Sequence, residues 1–481
     1  MADRPNVLLI CVDHWPGTLL GAVDHPTILT PTLDQLWANG IVYTNAYAST
    51  PTCIPSRREL MTGTFSPTHG DRVFDERLTM PELPTMAQTF RDAGYQAYAV
   101  GKMHVYPQRG RIGFDDVILN EEGRHHLGMP KDDYEIYLNE QGYAGQEHTH
   151  GMGANDYGVR PWHLPEHLHT THWTVREMCK VIVRRDPTRP SFWYMSFQHP
   201  HPPLVPPAAY LEMYQNIDID MPYIGDWAQD FESLPRALRI RRQGQGTYTD
   251  RAIRLARQAF YAQCTYIDHQ IRLAIGTLRE EGILDDTVIA FTADHGDMLG
   301  NHHLYAKELF YEDSTRLPVL IVPQADRKEL GQLKLDNRLA AQSDIMPTLL
   351  DLCDIPIPGT VEGHSLVGDG QHNYLYGEHW EDERATRMIR KGNYKLIYYA
   401  VGNRIHLFDL EADPREMNDL ESDVAHEQVL SELTDLLISR LYGSDVAWIK
   451  NGELVGLPEI GGPSRPPGNR GLNNQRGWRF R

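Results

Sequence analysis

Cysteine is scarce in these 481 residues. Cys11, Cys53, Cys179, Cys264 and Cys353 are scattered and odd in number, which argues against a disulfide framework. Positive charge is scarce too: 46 Lys and Arg stand against 65 Asp and Glu, a formal net charge of -19. No basic stripe occurs away from the C-terminus, so nucleic acid is not expected as a partner. No apolar run is long enough to span a bilayer, so no membrane partner is expected either. The one early apolar run, Val7 to Val12, is short, lacks a small-residue cleavage site and ends in Asp13. It does not read as a secretory signal, and a cytoplasmic location is the default. No internal repeat is present.

What remains is an ordinary globular composition, 41% hydrophobic and 23% charged. The length exceeds one comfortable core, so one large domain and a smaller one are expected. An acidic chain that handles an anion must collect its cations locally. The informative residues are therefore Lys, Arg, His and any metal ligands.

The first part alternates strand and helix signals. Asn6 to Val12 has the continuous apolar pattern of a strand buried on both faces. Thr32 to Asn39 reads as a helix, closed by Gly40, with a strand from Ile41. Pro84 to Ala93 is a helix stopped by Gly94, and Gln96 to Val100 a strand. Ser191 to Phe197 is aromatic-rich and strand-like. Asp250 to Glu281 is a long helix. Thr287 to Thr292 and Leu317 to Val322 are strands, and Ser343 to Cys353 is a helix. Such alternation argues for an α/β fold, a mostly parallel sheet covered by helices on both faces.

Residues 120–172 and 200–248 break the alternation and read as long insertions that shape a pocket. From about residue 372 the pattern changes to short antiparallel strands, around Met388 to Leu396, Ile397 to Ala400 and Ile405 to Leu410, then a helix from His426 to Leu441. The expected organisation is a large α/β domain over 1–371, a small α+β domain over 372–445 and a C-terminal segment over 446–481. The Pro/Gly/Arg-rich end of that segment cannot build its own core. It is either a free tail or an arm on a neighbouring subunit. Trp478 and Phe480 favour the arm, and with it a homo-oligomer.

Ligands of an open parallel sheet bind beyond the carboxyl ends of its strands. Four apolar runs here end in ionisable groups: Asp13-His14, Lys102-Met103-His104, His199-Pro200-His201 and Asp294-His295-Gly296-Asp297. Charged groups at a buried edge cost free energy unless they are paired or bind a metal. Asp13, His14, Asp294 and His295 form a mixed O/N donor set. Carboxylates suit Ca²⁺, Mg²⁺ or Mn²⁺, and imidazole shifts the preference toward Mn²⁺ or another transition metal. The plainer alternative makes the two aspartates caps of following turns.

Cys53 stands before Pro55, which suits a first helical turn, and Ser56 to Thr62 reads as the helix, stopped by Gly63. An anion is favoured at such a helix start, and Arg57 can reach back to it. From these residues alone, Cys53 is either a nucleophile in an anion-binding corner or a buried, inert thiol.

Cys53-Ile54-Pro55-Ser56-Arg57, followed by Leu60, Thr62 and Gly63, resembles the Cys-x-Pro-Ser-Arg signature of the sulfatase family, within the alkaline phosphatase superfamily. PNVLLICVDHW resembles the family's first metal strand, GKMH its Gly-Lys-x-His, PHPP at 200–203 its Pro-His-x-Pro and TADHG its second metal strand. Lys307 sits where the family keeps a lysine ahead of an Arg-x-Pro strand. RKGNYKLIYY and LFDLEADPREMNDL resemble its C-terminal domain. The match runs in order along nearly the whole chain. Two departures stand out: sulfatases usually carry Asp-Asp and Asp-Asn where this chain has Asp13-His14 and Asp294-His295. Those pairs resemble the phosphonate monoester hydrolase and phosphodiesterase branch, whereas Lys102 and His104 fit the sulfatase pattern.

The resemblance implies an alkaline-phosphatase-like fold and hydrolysis of a small anionic ester, a sulfate or, alternatively, a phosphonate monoester or phosphodiester. An inactive binding homologue with unmodified Cys53 is the third reading. A maturation enzyme would oxidise Cys53 to formylglycine, whose hydrate, held by one divalent metal (Mn or Ca), attacks the ester and forms a covalent intermediate. Asp13, His14, Asp294, His295 and position 53 would hold the metal, with His14 either a direct ligand or a supporting residue. Lys102, His201 and Lys307 would bind substrate. Arg57 would stabilise the hydrate. His201, or Lys307 in its place, would protonate the departing oxygen, and His104 would take the proton from the second hydroxyl. His199 reads as a loop residue, and the His-rich stretch at 120–172 as pocket rim.

Overall fold

The computed structural model describes residues 4–122, 127–245, 248–330 and 334–462. Eight strands build the main sheet: β1 (Asn6–Asp13), β2 (Ile41–Tyr47), β3 (Gln96–Gly101), β4 (Asp116–Leu119), β5 (Ser191–Pro200), β6 (Thr287–Ala293), β7 (Arg316–Val322) and β8 (Lys334–Ala341). They lie in the order β4-β3-β5-β1-β6-β7-β2-β8. Only β7 runs against its neighbours. The central strands are apolar because both faces are covered: β5 and β6 are buried along their whole length. The long helix Asp250–Glu280 packs on one side against the helices Thr170–Val183 and Ala208–Gln215.

Sequence order hides what the sheet order reveals. β3, β5, β1 and β6 are consecutive neighbours and mutually parallel. Their register aligns Gly101 with Ser196, Ser196 with Cys11, and Cys11 with Thr292. The strands end within a few residues of this row, so Asp13, Lys102, His199 and Asp294 lie along one edge. Gly101 makes the exit of β3 possible. Its φ is +104°, and a Cβ there would sit 1.8 Å from the Ser196 carbonyl oxygen.

The four-stranded antiparallel sheet of β9 (Leu375–His379), β10 (Thr386–Lys391), β11 (Tyr394–Tyr399) and β12 (Arg404–Asp409) follows. The helix Glu427–Arg440 packs on it. Lys395 of β11, fully buried, joins the two sheets through Glu312 (2.8 Å) and Glu416 (2.6 Å).

Several sequence readings need correction. The run Met388 to Leu396 is two strands folded at Gly392, whose φ is +56°. β4, β8 and β9 gave no clear signal. β4 is short, β8 alternates charge on a half-exposed edge, and β9 carries a buried glutamate. The stretch 120–172 contains the helix Asp133–Glu140, capped by Asp132, and 200–248 contains two helices. Of the expected arm, residues 463–481 lie outside the described residues. Its earlier part turns back on its own chain: Ile449–Lys450 pairs with Glu453–Leu454, and Arg236 donates to the Gly462 carbonyl at 2.6 Å.

Candidate active site

The helix carrying the cysteine motif runs Cys53–Thr62, so Cys53 opens the helix rather than preceding it. It is fully buried there. Its Sγ lies 3.1 Å from His295 Nε2 and 3.8 Å from Asp13 Oδ1, side chains delivered by β6 and β1. Ser56, one turn on, clamps this helix to the sheet by donating to the Asp294 carbonyl. Burial, with Asp13 adding to it, pushes the Cys53 thiol up to about 12. A plain thiol at this position is therefore protonated and a poor nucleophile.

Two overlapping donor groups surround it. Asp13, Cys53, Asp294 and His295 form one; Asp13, His14, Cys53 and His201 form the other. Within each, the ligand atoms lie within 4.8 Å of one another. Among the described residues these are the groups able to hold a metal, and the histidines of 120–172 add no further one. There, His148, His150 and His163 instead pack edge to face.

The histidine partners fix their tautomers. His295 Nδ1–H donates to the Gly296 carbonyl (3.0 Å), His201 Nδ1–H to the Pro202 carbonyl (2.6 Å) and His14 Nδ1–H to Asp297 Oδ2 (2.8 Å). All three therefore turn an Nε2 lone pair inward, the arrangement that metal-binding imidazoles require. Burial, then Lys307, drives each imidazole below its ordinary range, His201 to about 3, so all are neutral.

The two carboxylates behave oppositely. Burial raises both. The charges of Lys102 and Arg57 overcome it at Asp13, whose carboxyl falls well below the usual range. Asp294 gains further from the charge of Asp13 and rises to about 7. Arg57 reaches both carboxylates, yet the Asp294 carboxyl stays raised, so the pair still calls for a further cation. That conflict, with the inward lone pairs, fits a divalent metal held by Asp13, Asp294 and His295 next to position 53. His14 Nε2 is already engaged by Lys307 Nζ at 2.5 Å, which favours a supporting role for His14.

Three cations complete the centre. Arg57 Nε donates to Asp294 Oδ2 (2.9 Å), and its Nη1 to the Lys102 carbonyl (3.0 Å) and Ser196 Oγ (2.8 Å). Lys102 Nζ lies 2.6 Å from Asp13 Oδ2 and 2.5 Å from Glu122 Oε1. Lys307 Nζ donates to His14 and, at 3.1 Å, to His201 Nε2. Lys307 is held from both sides. Ala306 N donates to Asp297 Oδ1 (3.0 Å), Glu308 N to the Pro51 carbonyl (2.9 Å), and Arg241 to the Lys307 carbonyl.

The structure thus gathers Asp13, His14, Cys53, Arg57, Lys102, His201, Asp294, His295 and Lys307 in one place. His104 is outside both donor groups. It lies on the loop after β3, its main-chain N–H on Glu121 Oε1 (2.9 Å) and its ring edge-on to Phe74. His199 Nδ1 meets the His201 carbonyl at 3.0 Å and steadies that loop. Sequence reasoning gave Asp297 no role and missed Glu122 and Tyr157, whose hydroxyl donates to Asp297. Asp297 was visible in the Asp-His-Gly-Asp run. Glu122 and Tyr157 lie in the long insertion, where nothing in the pattern marks them.

A donor cluster with three cations, at the carboxyl edge of such a sheet, defines a centre for hydrolysing anionic esters. Residues 5–355 match the family model described as sulfatase, and residues 300–441 the one described as N-sulphoglucosamine sulphohydrolase, C-terminal. The chain belongs to the sulfatase family. An arylsulfatase of Clostridium perfringens (strain 13 / Type A) is 34% identical over 469 residues, covering 94% of this chain and 97% of that protein. A choline-sulfatase of Rhizobium meliloti (strain 1021) is 29% identical, covering 87% and 82%. Among solved structures, the phosphonate monoester hydrolase of Agrobacterium radiobacter shares the fold with a TM-score of 0.78 at 21% identity, over 94% of this chain and 99% of that one.

Proposed function

We propose that this chain hydrolyses sulfate esters of aryl or small alkyl alcohols at a group derived from Cys53. One observation carries the reading: Cys53 lies 3.1 Å from His295, inside a ring of metal donors and three cations. Conversion of Cys53 to formylglycine, by a formylglycine-generating partner, would replace a protonated thiol with a carbonyl hydrate bearing two hydroxyls. A bound Mn or Ca ion would supply Lewis-acid polarisation and lower the pKa of a hydroxyl at position 53.

The chain's own residues do the rest. Asp13, Asp294 and His295 would hold the ion, and Arg57 braces both carboxylates. Lys102 and Lys307 bind the ester oxygens and stabilise charge that develops on them. His201 is neutral, its Nδ1–H committed to Pro202, so it accepts from Lys307 rather than carrying its own spare proton. The proton for the departing oxygen therefore resides on Lys307, which His201 orients by accepting one of its N–H bonds. His104 takes the proton from the second hydroxyl as the enzyme resets. Proton transfers of this kind contribute about 10²–10⁴-fold each.

A second reading, hydrolysis of phosphonate monoesters or phosphodiesters, rests on the histidine that follows each metal aspartate. Turnover of an aryl sulfate against an aryl phosphonate monoester separates the two, on protein whose Cys53 state is known by peptide mass spectrometry. A preference for the sulfate is expected; a large preference for the phosphonate overturns the first reading. Five free cysteines suit a reducing, cytoplasmic setting. No helix among the described residues is long and apolar enough to cross a membrane. A homo-oligomer contacted through the C-terminal segment completes the proposal.

A further inference from the structure

Lys102 is assigned above to the oxygens of the ester, yet two carboxylates already share its ammonium. Asp13 Oδ2 lies 2.6 Å away and Glu122 Oε1 2.5 Å away. Asp13 belongs to the metal donors. Glu122 has no part in the reaction as derived. It is nevertheless buried, and its backbone is held in the left-handed region at φ +59°. That conformation is uncommon for a residue other than glycine, asparagine or aspartate. A second carboxylate beside a substrate-binding lysine weakens that lysine's hold on any anion. The cost of this arrangement depends on the charge of the anion.

Coulomb energy is linear in charge, so one fixed negative group penalises a dianion twice as much as a monoanion of the same shape. The proposed reaction crosses that line: ROSO₃⁻ + H₂O → ROH + SO₄²⁻ + H⁺. The substrate carries one charge and the product two. A phosphate monoester carries two from the start near neutral pH. Resting on the sulfate-ester reading, we infer that Glu122 is a charge-selecting residue of this centre, admitting singly charged esters, rejecting phosphate monoesters and favouring release of sulfate.

The test compares two probes alike in shape and different in charge: benzenesulfonate, singly charged, and phenylphosphonate, doubly charged at about pH 8.5. Dissociation constants are measured by calorimetry on the full-length, metal-loaded Cys53→Ala protein, which turns nothing over, with and without Glu122→Gln. The expected result is a gain in phenylphosphonate affinity over benzenesulfonate on the order of tenfold. Glu122→Ala must move the ratio the same way, and Glu122→Asp must keep the original ratio. If Glu122 only holds Lys102 in place, its loss misplaces a cation and weakens phenylphosphonate more than benzenesulfonate, so a ratio that falls or does not change overturns the inference. Wild-type turnover of an aryl sulfate judges the underlying reading separately, since the binding measurement uses no turnover.

Discussion

Lys307 and His14 meet at 2.5 Å, ammonium to Nε2, because His14 has already given its Nδ1–H to Asp297. The contact fixes an acceptor where a donor would repel the lysine. Asp297 thereby governs the position of a cation that it does not touch.

Asp297→Asn should disturb this chain of contacts. The amide cannot hold the His14 tautomer as a carboxylate does, and the main-chain bond from Ala306 beside Lys307 weakens as well. Loss of such supporting contacts costs about 10–100-fold in metal affinity or activity. Metal titration and kcat measured on the same preparation check it. An unchanged kcat would remove Asp297 from the positioning of Lys307.

Arg57→Ala should destabilise the fold by about 3–5 kcal/mol, since Asp13 and Asp294 lose a buried partner. Arg57→Lys should recover only part, because an ammonium cannot reproduce the forked contacts to Asp294, Ser196 and the Lys102 carbonyl. Thermal unfolding of the three proteins gives the order.

Metal removal should make stability pH-dependent. The Asp294 carboxyl is raised from 3.8 to about 7 in the fold, so the folded chain binds that proton more tightly than the unfolded chain. Its contribution is present at low pH and is lost as pH rises between those values. A divalent ion replaces the proton. Added Mn²⁺ or Ca²⁺ should therefore raise the Tm of chelated protein more at about pH 8 than at about pH 5.5. Equal shifts at both would place the ion elsewhere.

Lys395→Met should cost about 3–5 kcal/mol, because Glu416 loses its ion pair and Glu312 keeps only the longer one to Arg316 (3.8 Å). Adding Glu312→Gln and Glu416→Gln should return much of it. A triple variant no more stable than the single one, in denaturant titration, would show that the lysine's packing matters more than its charge.

Truncation after Gly462 should leave Tm unchanged and alter sedimentation if the last residues form an arm. Cutting before Glu459 should also lower Tm, because the Arg239 ion pair and the Gly402-Leu457 pairing are near the cut. An unaltered sedimentation profile would make the end a free tail.

Much of this was readable from the chain. Strands buried on both faces announce themselves as apolar runs, and β1, β5 and β6 were each found within a few residues. Asp13, Asp294 and Lys102 were legible because they stand at the ends of such runs. Glu122 was not, since its meaning arises only when a loop folds back onto Lys102. Edge strands such as β8 escaped because one face meets solvent and carries charge. His201 was legible as a site residue, but its neutral state was not: that depends on Pro202 and Lys307 arriving at opposite ring nitrogens.

Adjacent strands in a sheet are spaced by backbone hydrogen bonding at about 4.8 Å, so four neighbours present a row roughly 14 Å wide. No side-chain exchange can stretch that frame. It suits a single tetrahedral anion. Whatever the insertions at 120–172 and 200–248 admit beside it, the pitch of the scaffold holds the size of the reacting group constant.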